Sequence, residues 1–398
     1  MAVATRILYV HHGKGIGGAP LSLLYLIRSL PQRFEPTVLC LHESEASDLF
    51  RREGIETIVL PRIHDFSHTT VLWYPWWQLP KILYRFLHFP FAIERARRFI
   101  AARRFDLVHL NTSTLLAFGI AAGREGVKVV WHIREPIARG YFGLRRAFVR
   151  RIVATYADAV IAISRYDASQ LPAAVPVRVV YNFVDREVFH PGADGSGVRR
   201  ELGLDEKRPL VLFLGGVNRI KGTKEFVRAA VHVLERKKDV VFAIAGPIPD
   251  RSLRTILSGG AKYRKEVEAS IPPRHRRAVR FLGVRHDVPA LLAASTILCF
   301  PSLVPHFARP VIEASAMGVP VIASDLGGPQ ELVRHEETGL LVPAGDVDAL
   351  AQAILRLLDN PEEARRFGEN GTRFAEEHFD AKKNAQAVID IYDSLLES

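Results

Sequence analysis

The sequence predicts an α/β protein of two Rossmann-like, parallel-sheet domains, and three observations carry that expectation. Short apolar runs alternate with amphipathic helical stretches, and this alternation occurs twice. A single Pro/Gly/Ser-rich run, PGADGSG at 191–197, divides the two series. The length of 398 residues exceeds one comfortable core. The expected domains are 1–190 and 198–375, followed by a last helical stretch at 376–398.

Composition bounds the class. Hydrophobic content of 48% and charged content of 24% are ordinary for a globular chain. Cys40 and Cys299 lie in apolar runs without metal-ligand spacing, so they read as buried thiols in a reducing compartment. The apolar stretch of MAVATRILYVHHG is too short for a signal peptide, and no window offers the ~20 apolar residues of a spanning helix. The expectation is a cytoplasmic protein. Its net charge of +11 is uneven: residues 1–190 hold 25 Lys+Arg against 15 Asp+Glu. A basic first half favours anionic partners.

Residues 6–12 read as the first strand, followed by GKGIGGAP and a helix from about 20 to 30. Gly13, Gly15 and Gly18 satisfy G-x-G-x-x-G, and Glu43 follows a second strand, as a dinucleotide site requires. The same glycines would let any ligand approach the backbone, or serve a turn alone. Residues 66–105 gather Trp73, Tyr74, Trp76 and Trp77 ahead of Lys81, Arg85, Arg95, Arg97, Arg98, Arg103 and Arg104. Aromatic and basic residues at helical spacing suit peripheral contact with an anionic membrane; the alternative is a helix packed on its own domain with solvated arginines. A second basic run, ARGYFGLRRAFVRR at 138–151, belongs to the same reading. Neither run sits in a nucleic-acid module, so no nucleic acid is expected. His132 closes the strand 128–133, and Glu135 follows it. Open α/β sheets place ligands beyond strand ends of this kind.

The second series restarts with the strand 209–215 and the loop GVNRIKG, which opens a helix at about 223–237. Lys221 beside unpaired helix-start amides is a way to hold a diphosphate. Asp346 and Asp348 have the Asp-x-Asp spacing of a metal site but precede a helix, where capping is expected. Residues 301–323, PSLVPHFARPVIEASAMGVPVIA, read as loop, helix, turn and strand, with Gly318 as a left-handed stop and Glu313 in the helix's first turn.

That last block resembles the signature of retaining glycosyltransferases of the GT-B type, family 4. Pro301, Ser302, Phe307, Arg309, Glu313, Ala314, Ala316 and GVPVIA at 318–323 stand in register. Two positions depart: the loop glutamate is Pro305, and the glycine after the Phe is Ala308. The resemblance implies two domains facing a cleft, a C-terminal helix crossing back to the first, and transfer of a sugar from a nucleotide-diphosphate-sugar donor, with no metal and no other cofactor. It implies that Lys221 and Arg219 hold the diphosphate, Arg219 standing in for the family arginine whose place is Gly216. Phe307, Ala308, Arg309, Pro310 and Val311 would complete that pocket, and Glu313 would accept the ribose hydroxyls. The base would lie near Val284 and Arg285, Gly17 and Gly18 beside the transferred sugar, and His132 over it. The acceptor is expected to be a glycan or a lipid-linked molecule. Pro305 removes an orienting hydrogen bond, with His306 a substitute, so a catalytically silent nucleotide-sugar-binding protein remains the alternative. An NAD-binding enzyme using Gly13, Gly15 and Gly18 is a third.

Overall fold

The computed structural model describes residues 4–13, 15, 17–63, 79–250, 252, 255–256 and 258–397. It divides into two compact units, one of Met1–Asn182 with Ala381–Ser398 and one of Phe183–Asp380. The division comes before the Pro/Gly/Ser run rather than at it. Residues 191–197 belong to the second unit and are mostly exposed, anchored by buried Gly195, which lies so close to Ala294 that a Cβ would meet its amide nitrogen at 2.3 Å.

The first unit holds a seven-stranded sheet in the order β3-β2-β1-β4-β5-β6-β7. Its strands are β1 Thr5–His11, β2 Phe34–Cys40, β3 Glu56–Val59, β4 Leu107–Leu110, β5 Lys128–Ile133, β6 Ala159–Ala162 and β7 Val177–Val179. Every pairing is parallel. The order reverses between β1 and β4, which makes their carboxyl ends the switch point where such sheets bind ligands. Alternate residues divide the faces. Leu8, Val10, Val108, Leu110, Val129, Trp131 and Ile133 join one apolar cluster. Ile7, Tyr9, His109, Val130 and His132 take the opposite parity, with Tyr9 beside His109 and His109 beside Val130. Trp131 is seated by a glycine: a Cβ on Gly119 would meet its ring at 2.4 Å.

The helix Ala381–Leu396 belongs to this unit. It buries Ala385, Val388, Ile389 and Tyr392, an i, i+3, i+4, i+7 stripe. The helix Leu79–Arg103 buries only the later part of its length, at Ala92, Ile93, Ala96 and Ile100. Leu79, Leu83, Leu87 and Phe91 stand exposed at four-residue spacing. Trp73, Tyr74, Trp76 and Trp77 of the aromatic segment lie outside the described residues.

The second unit holds a six-stranded parallel sheet, β10-β9-β8-β11-β12-β13. Its strands are β8 Leu210–Leu214, β9 Val241–Ala245, β10 Val279–Gly283, β11 Ile297–Phe300, β12 Val321–Ser324 and β13 Gly339–Val342. Here the order reverses between β8 and β11. The strands are continuous apolar runs because helices bury both faces. Gly318 takes φ 73° and ends the helix Arg309–Ala316 before β12.

Candidate functional site

In the second unit, the loops leaving the two switch-point strands meet. Leu303 donates its backbone N–H to the Ile220 carbonyl at 2.9 Å, and Ser302 Oγ donates to the same oxygen at 3.1 Å. Gly222, at φ 79°, is pressed against Pro301, whose carbonyl oxygen would lie 1.8 Å from an added Cβ. A side chain there would part the loops. On the other side, Gly327 lies against Pro305 and Gly328 against the His306 carbonyl. The loop 301–307 is thus clamped from two sides.

Lys221 lies in this corner, partly buried, with no ion-pair or hydrogen-bond partner among the described residues. Burial pushes its ammonium pKa down. His306 is its electrostatic neighbour, and burial first, then Lys221, lowers the imidazole pKa to about 4. His306 is therefore neutral near pH 7. Its Nδ1 lies 3.1 Å from the Val304 carbonyl, so Nδ1 carries the proton and Nε2 is an acceptor.

The first two helix-start amides beside Lys221 are occupied. Thr223 donates its N–H to the Asn218 carbonyl, and Lys224 donates to Tyr263 Oη at 3.1 Å. Among the described residues, the Lys221 ammonium is left uncommitted. Arg219 is held elsewhere: its guanidinium sits 4.6 Å over the Tyr263 ring and 3.4 Å from Glu266, two-thirds exposed. Gly216 approaches Pro247, where a Cβ would meet the carbonyl oxygen at 2.4 Å. That contact accounts for a glycine where the resemblance expects arginine.

The helix Arg309–Ala316 begins at Ala308 without a side-chain cap. Pro310 supplies no N–H, and Val311 donates to the Ala308 carbonyl. Phe307, Ala308 and Val311 are buried. Glu313 lies one turn further in than expected. It is buried and accepts a 2.8 Å bond from Arg309 Nε, four residues earlier. Burial raises its pKa while Arg309 pulls the other way. Arg285, expected near the base, is bound to Glu201 and Asp287, which leaves Val284 exposed beside it. Asp346 caps the helix Val347–Asp359 through Ala349, and Asp348 faces His232. The Asp-x-Asp spacing is a cap.

The first unit presents a different site at its own switch point. His132 is buried at the end of β5, with Nδ1 3.2 Å from His109 Nε2 and its own Nε2 without a hydrogen-bond partner among the described residues. Burial pushes both imidazoles well below their ordinary pKa, and the nearby Arg134 guanidinium adds to this. Arg134 is fixed by Asn111 and Asn182. Glu135 orients the loop after β4, accepting bonds from Thr112 Oγ1 at 2.8 Å and the Ser113 amide at 3.0 Å. Gly17 and Gly18 open the helix Gly18–Arg28 in exposed positions, and nothing lies within 4 Å of a Cβ placed on Gly17. Gly13 closes on the His42 carbonyl, a turn contact. Glu43 is paired with Arg51. Sequence reasoning missed His109, Asn111, Arg134 and Tyr392, whose only signal is polarity within apolar strands or on the inner stripe of a helix.

These features define an α/β class with two Rossmann-like, parallel-sheet units. The family of glycosyl transferases group 1 matches residues 197–374, and glycosyltransferase family 4 matches residues 16–188. The lipopolysaccharide core biosynthesis mannosyltransferase LpcC of Rhizobium leguminosarum bv. viciae is 32% identical over 74% of this chain and 80% of its own length. The alpha-maltose-1-phosphate synthase of Mycolicibacterium smegmatis is 32% identical over 62% of this chain and 65% of that enzyme. Among solved structures, Anabaena Alr3699/HepE in complex with UDP-glucose has a TM-score of 0.80 at 23% identity, covering 98% of this chain and 99% of that one. The fold is GT-B. The chain is a glycosyltransferase and belongs to the family 4, group 1 glycosyl transferases.

Proposed function

We propose that this glycosyltransferase moves a sugar from a nucleoside-diphosphate donor to a glycan or lipid-linked acceptor, with retention of configuration and without a metal. The observation that carries the reading is Lys221, a partly buried ammonium with no paired carboxylate among the described residues, set where the β8 and β11 loops meet. A cation left unpaired at a switch point invites an anion. Diphosphate charge grows as the glycosidic bond breaks, so Lys221 stabilises the transition state more than the ground state. Glu313, steadied by Arg309, receives the ribose hydroxyls. His306 Nε2 replaces the missing loop carboxylate as a neutral acceptor for a sugar hydroxyl. Support also comes from the relative named as a mannosyltransferase and the neighbour solved with UDP-glucose.

The acceptor side belongs to the first unit in this reading. No described helix is long and apolar enough to cross a membrane. The exposed stripe Leu79, Leu83, Leu87 and Phe91, with Lys81, Arg95 and Arg98 exposed on the same helix, suits an anionic lipid surface at which a lipid-linked acceptor resides. Flotation with anionic and neutral vesicles tests this; equal, salt-insensitive absence from both would sink it.

The chemistry is tested by incubating the protein with labelled nucleotide sugars and reading the product's anomeric configuration by NMR. Transfer with the donor's configuration kept is the expected outcome. Inversion overturns the retaining step. Binding without transfer or hydrolysis indicates a silent binder, and preference for NAD over UDP or GDP restores the dinucleotide reading of Gly13, Gly15 and Gly18.

A further inference from the structure

A buried chain of polar groups runs from the C-terminal helix to the end of β5, and the proposed chemistry does not account for it. Tyr392 Oη lies 2.7 Å from His109 Nδ1, and His109 Nε2 lies 3.2 Å from His132 Nδ1. Beyond, His132 Nε2 is buried without a hydrogen-bond partner among the described residues. The three side chains are 0–4% exposed. Strand register brings the imidazoles together: His109 stands opposite Val130, and His132 is two residues further along the same face. Tyr9 packs beside His109 at 5.2 Å between ring centroids, and Tyr9 and Phe34 meet the Tyr392 ring edge-on. The helix therefore delivers the Tyr392 hydroxyl to one place.

The direction of the protons follows from chemistry. A phenol is the stronger acid and an imidazole nitrogen the stronger base, so the short contact is O–H donating to Nδ1. Arg134 and burial keep both histidines neutral, so each carries one proton. His109, accepting at Nδ1, must hold its proton on Nε2 and donate it to His132 Nδ1. His132 then holds its proton on Nε2. The groups facing this chain are Arg134, Tyr9 and the two imidazoles themselves.

We propose that Tyr392 and His109 are positioning residues that fix His132 as its Nε2–H tautomer, so that this site offers a hydrogen-bond donor and no base. Its ligand is an oxygen with a free lone pair, a sugar hydroxyl or a phosphoryl oxygen. The meaning for catalysis rests on the sugar-transfer reading above; the tautomer does not.

The test is long-range 1H–15N NMR of histidine-labelled protein, which distinguishes protonated from bare ring nitrogens. The expected spectrum shows His132 Nε2 protonated and Nδ1 bare. Tyr392→Phe and His109→Leu should each convert His132 to a mixture of tautomers. His109→Gln should restore the wild-type pattern, because its amide can accept from Tyr392 and donate to His132. In turnover, Tyr392→Phe should lower kcat about tenfold, the worth of one hydrogen bond, with His109→Gln closer to wild type than His109→Leu. A wild-type His132 protonated on Nδ1 overturns the proposal, as does a tautomer unmoved by both disrupting variants. The expected tautomers in a protein that transfers no sugar would overturn the function and leave the relay standing.

Discussion

In the second unit the sheet is apolar through nearly its whole width, and its polar groups gather on loops beyond the strands: Lys221, Ser302, His306 and, one turn into a helix, Glu313. The first unit instead carries His11, His109 and His132 within its strands, fully buried or nearly so. The difference has an energetic root. A loop cation keeps part of its hydration and can lie idle until an anion arrives, whereas a buried imidazole must stay neutral and hydrogen-bonded. In the proposed reading, one unit meets charge and the other presents a fixed neutral dipole.

The sharpest way to break that contrast is Lys221→Ala. It should lower kcat/KM by about 100-fold or more and weaken nucleoside diphosphate binding while leaving nucleoside binding nearly unchanged. Isothermal titration with both ligands decides it, and equal losses for the two would move the anion site elsewhere. Next in size is a pH effect to which the first unit contributes two buried histidines, beside His306 in the second. His109 and His132 have folded pKa values below the ordinary 6.5, so the unfolded chain binds more protons below that pH. Stability is complete above about pH 6.5 and falls as pH drops, by up to ~1.4 kcal/mol per pH unit per histidine. Urea titrations at several pH values should show a shallower slope for His109→Gln, and an unchanged slope would contradict neutral burial. Arg219→Ala should do less. Its exposed pair with Glu266 contributes under about 1 kcal/mol, and diphosphate affinity should fall far less than for Lys221→Ala. A comparable fall would show that Arg219 leaves Tyr263 to grip the ligand. Smallest of all, thiol reagents should leave activity unchanged, since burial pushes the Cys40 thiol up to about 12 and raises Cys299 as well. Labelling of both only after denaturation is the outcome to expect.

The same contrast governs what could be read from the residues alone. Apolar runs and glycine stops announce parallel strands and helix ends, so both sheets were legible. Motif spacing located Lys221, Glu313 and the 301–323 block, because those residues sit at fixed distances from strand ends. Which groups remained uncommitted was not legible. The helix-start amides at 223 and 224 are taken by Asn218 and Tyr263, and Arg219 and Arg285 are spent on carboxylates supplied from 47 and 84 residues away. The Tyr392–His109 contact joins positions 283 apart and leaves no local trace.

The return of Ala381–Leu396 to the first unit has a consequence for synthesis. Translation finishes Asn182 about 200 residues before that helix emerges, a delay on the order of 10–40 s at ordinary elongation rates. During that interval Tyr9 and His109 lack their lid, so the nascent chain exposes a tacky, half-finished sheet. A segment translated late closes a unit whose sheet was made much earlier.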